Sequence, residues 1–260
     1  MTSQLIILGG GASVIEGISK GLFDKLQSKL TFGLNYSHYF VNITATVYTD
    51  EVFHAKELGY LEKLPLIISR KFNSLKYPKN SVEFVNSQIY QRDCKNGVYM
   101  SNLTGIFALS LAIQILGEGE IFLLGYDYGS EKREGSKKIP KLDHNGTAIT
   151  HWYQHGNLNS VYTCQPFEII HRGTGKVNWY EATGIDKDTK ERVHRSNLEY
   201  KPFKNEKKAK IYNVSETSMI DTFEKISYDK FFEKLSNESL DQDDLRAYIL
   251  LKTKDIKQQL

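Results

Sequence analysis

Two histidines four residues apart, His151 and His155, are the first residues in this sequence that could do chemistry. A neutral imidazole, with an unperturbed pKa of roughly 6.5, can take a proton from a hydroxyl group at neutral pH. The pair therefore predicts a general base, with both His155 and His151 as catalytic candidates. Two alternatives stay open. The pair could bind a metal, although no third ligand follows at zincin spacing, or both rings could be structural.

A glycine-rich turn, Gly9-Gly-Gly-Ala-Ser13, lies between the apolar run Gln4–Leu8 and an amphipathic stretch over 14–26. Strand, glycine turn and helix form the arrangement in which backbone N–H groups bind phosphate. The glycines are contiguous, so they form neither GxGxxG nor a GxxxxGK[ST] loop. The turn predicts nucleotide binding through Gly9, Gly10, Gly11 and Ser13, with a tight turn that binds nothing as the alternative.

Polar side chains also follow three other candidate strands: Asn35 after 30–34, Thr49 and Asp50 after 45–48, and Asp127 after 120–124. In an open parallel sheet, ligands bind at the carboxyl ends of the strands. These residues are therefore expected to share one edge with Ser13, and the hydroxyl of Tyr128, beside Asp127, or that of Tyr153 could stabilise a departing phosphate. Asn35 and Asp50 have an alternative as turn formers or helix caps. Trp152 and Tyr153 could either pack or stack on a base.

The elements that must position these groups are predicted from hydrophobic periodicity. Apolar residues spaced by three and four predict a helix over 104–116, and a short apolar run predicts a buried strand over 120–124. Further strands are predicted at 66–69, 82–85 and 211–214, a turn with a short helix at 215–223, and helices at 227–236 and 241–259. The pattern predicts an α/β, Rossmann-like, open and mostly parallel sheet with helices on both faces. Residues 1–128 and 201–260 would form this nucleotide-binding domain. Residues 129–200 would form a lid and a β-rich insertion, with strands at 167–170 and 177–180.

Composition excludes several classes of protein. The 260 residues are 40% hydrophobic and 25% charged, which is typical of a globular chain. A net charge of +3 permits an anionic substrate without requiring nucleic acid, and the basic run Lys201–Lys210 is expected to be solvated surface rather than a DNA contact. Without a membrane-length apolar run or a signal peptide, the chain is expected in the cytoplasm. Cys94 and Cys164 are expected to be free thiols.

The order of these motifs resembles glycosyltransferase family 42, the bacterial sialyltransferases, and also the archaeal-type 6-hydroxymethylpterin diphosphokinase-like proteins, a group with many phage members. The resemblance implies a GT-A-like fold. It matches the family's nucleotide loop to 9–13, with Ala12 in place of proline and Gly10 in place of asparagine. Its nucleotide-contacting asparagines match Asn35 and, with a change of residue type, Thr49. Its Thr-Ser-Gly matches 103–105, which adds Thr104 and Gly105 to the site. Its base matches His155, and its phosphate-binding tyrosine falls one position after Tyr128.

The resemblance implies a transferase that moves a sugar from a nucleotide donor to a hydroxyl of a glycan, a metabolite or modified DNA, with no cofactor or metal required. A phage-encoded member would act in the host cytoplasm, and assembly into a homo-oligomer stays open. Two other functions are alternatives. One is a pyrophosphoryl transferase that uses ATP with magnesium held by carboxylates such as Asp50 and Asp127. The other is a non-catalytic protein that keeps the fold alone, either a nucleotide-binding or a structural accessory protein of a phage.

Overall fold

The computed structural model describes residues 3–72, 75–84, 98, 103–127, 133–134, 137–138, 152–154, 183–185 and 192–259. Its strands, in chain order, are β1 Gln4–Leu8, β2 Thr31–Leu34, β3 Ala45–Tyr48, β4 Ile67–Arg70, β5 Ser81–Phe84, β6 Gly119–Leu124, β7 Arg133–Glu134, β8 Lys137–Lys138, β9 Thr183–Ile185, β10 Arg192–His194, β11 Ala209–Val214 and β12 Glu224–Lys225. The helices are α1 Val14–Ser19, α2 Leu22–Leu26, α3 Glu51–Leu61, α4 Thr104–Leu116, α5 Arg195–Tyr200, α6 Tyr228–Lys234 and α7 Gln242–Gln259.

Eight of these strands form one open sheet in the order β12-β11-β6-β1-β2-β3-β4-β5. Every pairing in this sheet is parallel. The predicted α/β, Rossmann-like fold is therefore confirmed, and the sheet is wholly parallel among the described strands. The two other ladders, β7 with β8 and β9 with β10, are short antiparallel pairs within 129–200.

Helices cover both faces of the sheet, as the alternation of side chains in β1 shows. Leu5 and Ile7 pack into one apolar cluster with residues of α4 and α7. Ile6 and Leu8 pack into a second cluster with residues of α1, α2, α3 and α6. Because both faces of β1 are buried, the strand is a continuous apolar run rather than an alternating one.

Three local predictions need correction. The stretch 14–26 is not one helix, because Gly21 adopts a left-handed φ of 79° and separates α1 from α2. Residues 215–223 form turns without a helix and lead directly into β12. Helix α3 was not predicted. It begins after Asp50, whose side chain accepts hydrogen bonds from the amides of Val52 and Phe53.

The segment 129–200 is described only in part. The strands predicted at 167–170 and 177–180 lie outside the described residues, as do Cys94 and Cys164. At the end of α5, Tyr200 is buried in the main core, with its ring beside those of Tyr126 and Phe223. Within the described part of the chain, no helix is long and apolar enough to span a membrane. In the basic run, Lys201, Lys204, Lys207, Lys208 and Lys210 are exposed.

Close packing between α1 and α6 gives a first testable prediction. A Cβ added at Gly17 would lie 2.7 Å from Cζ of Tyr228, which is buried. We expect Gly17→Ala to lower the free energy of unfolding by about 1–3 kcal/mol, because the ring has no room to move away. Urea denaturation measures the change. Gly59→Ala is the control, because Gly59 is also helical and a Cβ there meets no atom within 4 Å. Equal stability of the two variants would contradict the prediction.

Candidate functional site

The candidate site lies at the carboxyl edge of the sheet, where the direction of strand addition reverses. From β1 the chain adds β2 to β5 on one side and then crosses to β6 on the other. Ligands bind at such a switch point because the loops after the two central strands diverge there. Here the two exits touch: Gly9 N donates to Leu124 O at 2.7 Å, and Gly11 N donates to Gly125 O at 2.9 Å.

Asp127 and Ser13 join the two exits through side-chain contacts. The Asp127 carboxylate, only 5% exposed, accepts from Ser13 N at 2.7 Å and from Ser13 Oγ at 2.5 Å. A Cβ at Gly11 would lie 2.5 Å from the same carboxylate, so this close approach requires glycine. Because the single hydroxyl hydrogen of Ser13 is given to Asp127, that hydroxyl can accept from a ligand but cannot donate to a phosphate. The predicted site residues are brought together, but they contact each other.

Two backbone amides of the turn remain for a ligand. The amides of Gly9, Gly11 and Ser13 donate to the segment 124–127. Those of Gly10 and Ala12 have no acceptor among the described residues, and both residues are only partly buried. Two N–H groups on a partly exposed turn can bind one phosphate oxygen or two.

Asn35 combines an unusual backbone conformation with an unsatisfied side chain. It begins the 3-10 segment Asn35–Tyr39 after β2, and its φ of 52° is the one positive value among described residues other than glycine. Asparagine tolerates this conformation, so a turn role explains the backbone. It does not explain the buried Oδ1 atom, which has no hydrogen-bond partner among the described residues. Such an oxygen needs an N–H or O–H donor, and a ligand at this edge could supply one.

Thr49, Thr104 and Gly105 meet at the same edge. The hydroxyls of Thr49 and Thr104 lie 3.0 Å apart, which links the exit of β3 to the start of α4. The carbonyl of Gly105 accepts from the Tyr126 hydroxyl at 3.0 Å, which links α4 to the exit of β6. Asp50 instead caps α3, with Oδ1 2.7 Å from Val52 N, as its alternative assignment predicted. Both carboxylates named for the magnesium alternative therefore already accept hydrogen bonds from the protein.

The segment between the two histidines is bound to the glycine turn. Residues 152–154 form a 3-10 turn, and Trp152 donates from its backbone N to Gly10 O at 2.9 Å and from Nε1 to Gly9 O at 2.7 Å. Its ring is fully buried, with the centroids of Phe23 and Phe40 at 5.5 and 5.2 Å. Packing is therefore the observed role of Trp152. The catalytic candidates His151, His155 and Tyr128 lie outside the described residues.

Two other histidines are held inside the fold. His38 Nδ1 lies 2.9 Å from Thr46 Oγ1, and burial, followed by the charge of Arg246, lowers the pKa of His38 to about 3. His54 is buried between the Tyr48 hydroxyl, 2.5 Å from Nδ1, and the carbonyl of Lys76, 2.8 Å from Nε2. Neither ring is accessible to a substrate hydroxyl, so His38 and His54 are not candidates for a general base.

Sequence reasoning assigned no role to Asn213, which holds the exit of β6. Its Nδ2 donates to Tyr126 O at 3.2 Å and to Ser218 Oγ at 2.9 Å, and Ser218 Oγ donates to the same carbonyl at 2.6 Å. Met219 N then donates to Asp127 O at 3.0 Å. The loop after β11 thus fixes Asp127. A polar residue in the middle of an apolar strand was the available signal, because a buried amide must find partners.

Comparisons with known proteins leave this site to be interpreted from its own geometry. No family model matches the sequence, and no curated protein and no solved structure matches it. The function proposed next therefore depends on the described contacts and on the chemistry of the residues.

Proposed function

We propose that this chain is a nucleotide-sugar-dependent glycosyltransferase that moves a sugar to an acceptor hydroxyl, with His155 as the general base. The observation that carries the proposal is the attachment of Trp152 to the carbonyls of Gly9 and Gly10. It connects the segment that carries the two histidines to the turn that would bind the nucleotide. A transferase of this kind needs its base and its leaving-group site close together.

The donor is proposed to occupy the carboxyl edge between the turn and the exit of β2. The amides of Gly10 and Ala12 would bind its phosphate, and Asn35 Oδ1 would accept from an amino group or a hydroxyl of its nucleoside or sugar. A phosphate beside Ser13 would be repelled by the Asp127 carboxylate, so we place the phosphate on the Gly10–Ala12 side. Thr49 and Thr104 supply further hydroxyls at this edge.

In the proposed reaction, His155 takes the hydroxyl proton of the acceptor as the acceptor oxygen bonds to the anomeric carbon. The bond between that carbon and the donor phosphate oxygen breaks, and the electron pair leaves with the nucleotide. Charge that develops on the phosphate is stabilised by the Gly10 and Ala12 amides and by Tyr128. This scheme requires no metal. The acceptor hydroxyl would belong to a glycan, a metabolite or modified DNA, and the reaction is proposed for the cytoplasm.

A thermal-shift screen tests the proposal. The panel contains CMP-, UDP-, GDP- and ADP-sugars and ATP with magnesium, each with and without EDTA. We expect one nucleotide-sugar to raise the melting temperature equally with and without EDTA, since binding at 100 times Kd stabilises by about 2.7 kcal/mol. A shift with ATP and magnesium alone would support the pyrophosphoryl transferase instead. No shift with any nucleotide would support a non-catalytic protein.

Asn35→Gly gives a second prediction, because it removes the side-chain amide from a position where glycine adopts the same φ without strain. We expect the affinity for the nucleotide-sugar found in the screen to fall by about 5- to 10-fold, which corresponds to one lost hydrogen bond. Isothermal titration calorimetry measures the affinity, and urea denaturation is the control for folding. Unchanged affinity would remove Asn35 from the donor site.

A further inference from the structure

Trp152 donates two hydrogen bonds to the glycine turn, one to each of two consecutive carbonyl groups. Its indole Nε1 donates to Gly9 O at 2.7 Å and its backbone N donates to Gly10 O at 2.9 Å. The ring is fully buried and held edge-on by Phe23 and Phe40, with interplanar angles of 60° and 66°. The indole therefore has one orientation relative to the turn.

Because the peptide bond is planar, the contact with Gly9 O also fixes the direction of the Gly10 N–H. Gly9 C=O and Gly10 N–H belong to the same peptide unit, and in a trans peptide they point in opposite directions. No cis peptide occurs among the described residues. An indole that holds Gly9 O therefore directs Gly10 N–H away from Trp152. It also polarises that peptide unit, which strengthens the N–H as a donor.

We infer that Trp152 is a positioning residue for the phosphate-binding turn of the proposed site. Through its indole it orients the Gly10 N–H that would meet the donor phosphate. Through its backbone N–H it also holds the carbonyl of Gly10. The inference rests on the proposed function, but the orientation of Gly10 is a property of the ligand-free protein that can be measured separately.

The experiment uses protein labelled with ¹⁵N-glycine, which gives at most 19 glycine amide signals, and Gly10→Ala assigns Gly10. Trp152→Phe removes the indole N–H and keeps an aromatic ring. Phe40→Leu is the control, because it removes one wall of the ring cage without removing a donor. The spectra are recorded without ligand and during titration with inorganic phosphate, and urea denaturation checks that both variants fold.

Without ligand, we expect the Gly10 amide signal to move and its hydrogen exchange to quicken in Trp152→Phe but not in Phe40→Leu. On titration, we expect phosphate to shift Gly10 in the wild type and in Phe40→Leu, and the apparent Kd at Gly10 to rise by about fivefold in Trp152→Phe. A Gly10 signal that is the same in Trp152→Phe and the wild type, with and without phosphate, would overturn the inference. If phosphate shifts no signal in the wild type while the ligand-free change occurs, Trp152 orients Gly10 and the proposed phosphate site is the part that fails.

Discussion

Replacing His155 by alanine is expected to lower the rate of sugar transfer by about 10²- to 10⁴-fold, the usual contribution of a general base, while the donor binds almost as tightly as before. The physical reason is that the base acts on the acceptor hydroxyl and not on the nucleotide. Measuring kcat in a product-release assay and the donor Kd by calorimetry separates these effects.

His151→Ala is the matched control, because it removes the same type of side chain from the other end of the segment 151–155. We expect His151→Ala to lower kcat by a factor at least ten times smaller than His155→Ala does. We also expect the kcat–pH profile of His151→Ala to keep its acid limb. Unchanged turnover in His155→Ala would remove the base assignment. A larger loss in His151→Ala would move that assignment to His151.

Asp127→Ala is expected to cause the largest loss of stability among single substitutions at the site, about 2–4 kcal/mol of unfolding free energy. The substitution leaves Ser13 N–H and Oγ–H without the carboxylate that accepts both. Losing these two hydrogen bonds costs more than is gained by no longer burying a carboxylate that has no ion pair among the described residues. The turn would lose its side-chain link to the exit of β6 and keep only the backbone hydrogen bonds of Gly9 and Gly11, so nucleotide binding should weaken as well.

Urea denaturation of Asp127→Ala, Ser13→Ala and the double variant measures the coupling between the two residues. Asp221→Ala is the control for loss of a carboxylate, because Asp221 is exposed and pairs with Lys225 at the surface, where such pairs contribute about 0–1 kcal/mol. If Asp127→Ala is no less stable than Asp221→Ala, the carboxylate is not what joins the two strand exits.

Much of the carboxyl edge could be predicted from the sequence, because it depends on local patterns. Buried parallel strands are short apolar runs, and the residue after each run must lie at one edge. Ser13, Asn35, Thr49 and Asp127 were placed there correctly for this reason. What a side chain faces at that edge depends on contacts between residues more than 100 positions apart, such as the 114 that separate Ser13 from Asp127. The sequence indicated both as ligand contacts, and it gave no sign that each is also the hydrogen-bond partner of the other.

The errors in the helix predictions have local causes. Helix α3 escaped prediction because its buried positions include His54 and its backbone is kinked at Glu57, so apolar residues do not recur at regular helical spacing. The break at Gly21 was hidden by apolar residues that continue on both sides of it. The helix expected after β11 is replaced by turns, because Ser218 and Met219 are held by the carbonyls of Tyr126 and Asp127 instead.

The position of β1 in the middle of the sheet has a consequence for biosynthesis. Its partner β2 is made soon after it, but Gln4 pairs with Glu120, which is translated 116 residues later. At about 5–20 residues per second, one edge of this mostly apolar strand stays open at the ribosome for on the order of ten seconds. The nascent chain is therefore vulnerable to intermolecular strand pairing, and slowing translation between β2 and β6 should increase aggregation rather than improve the yield.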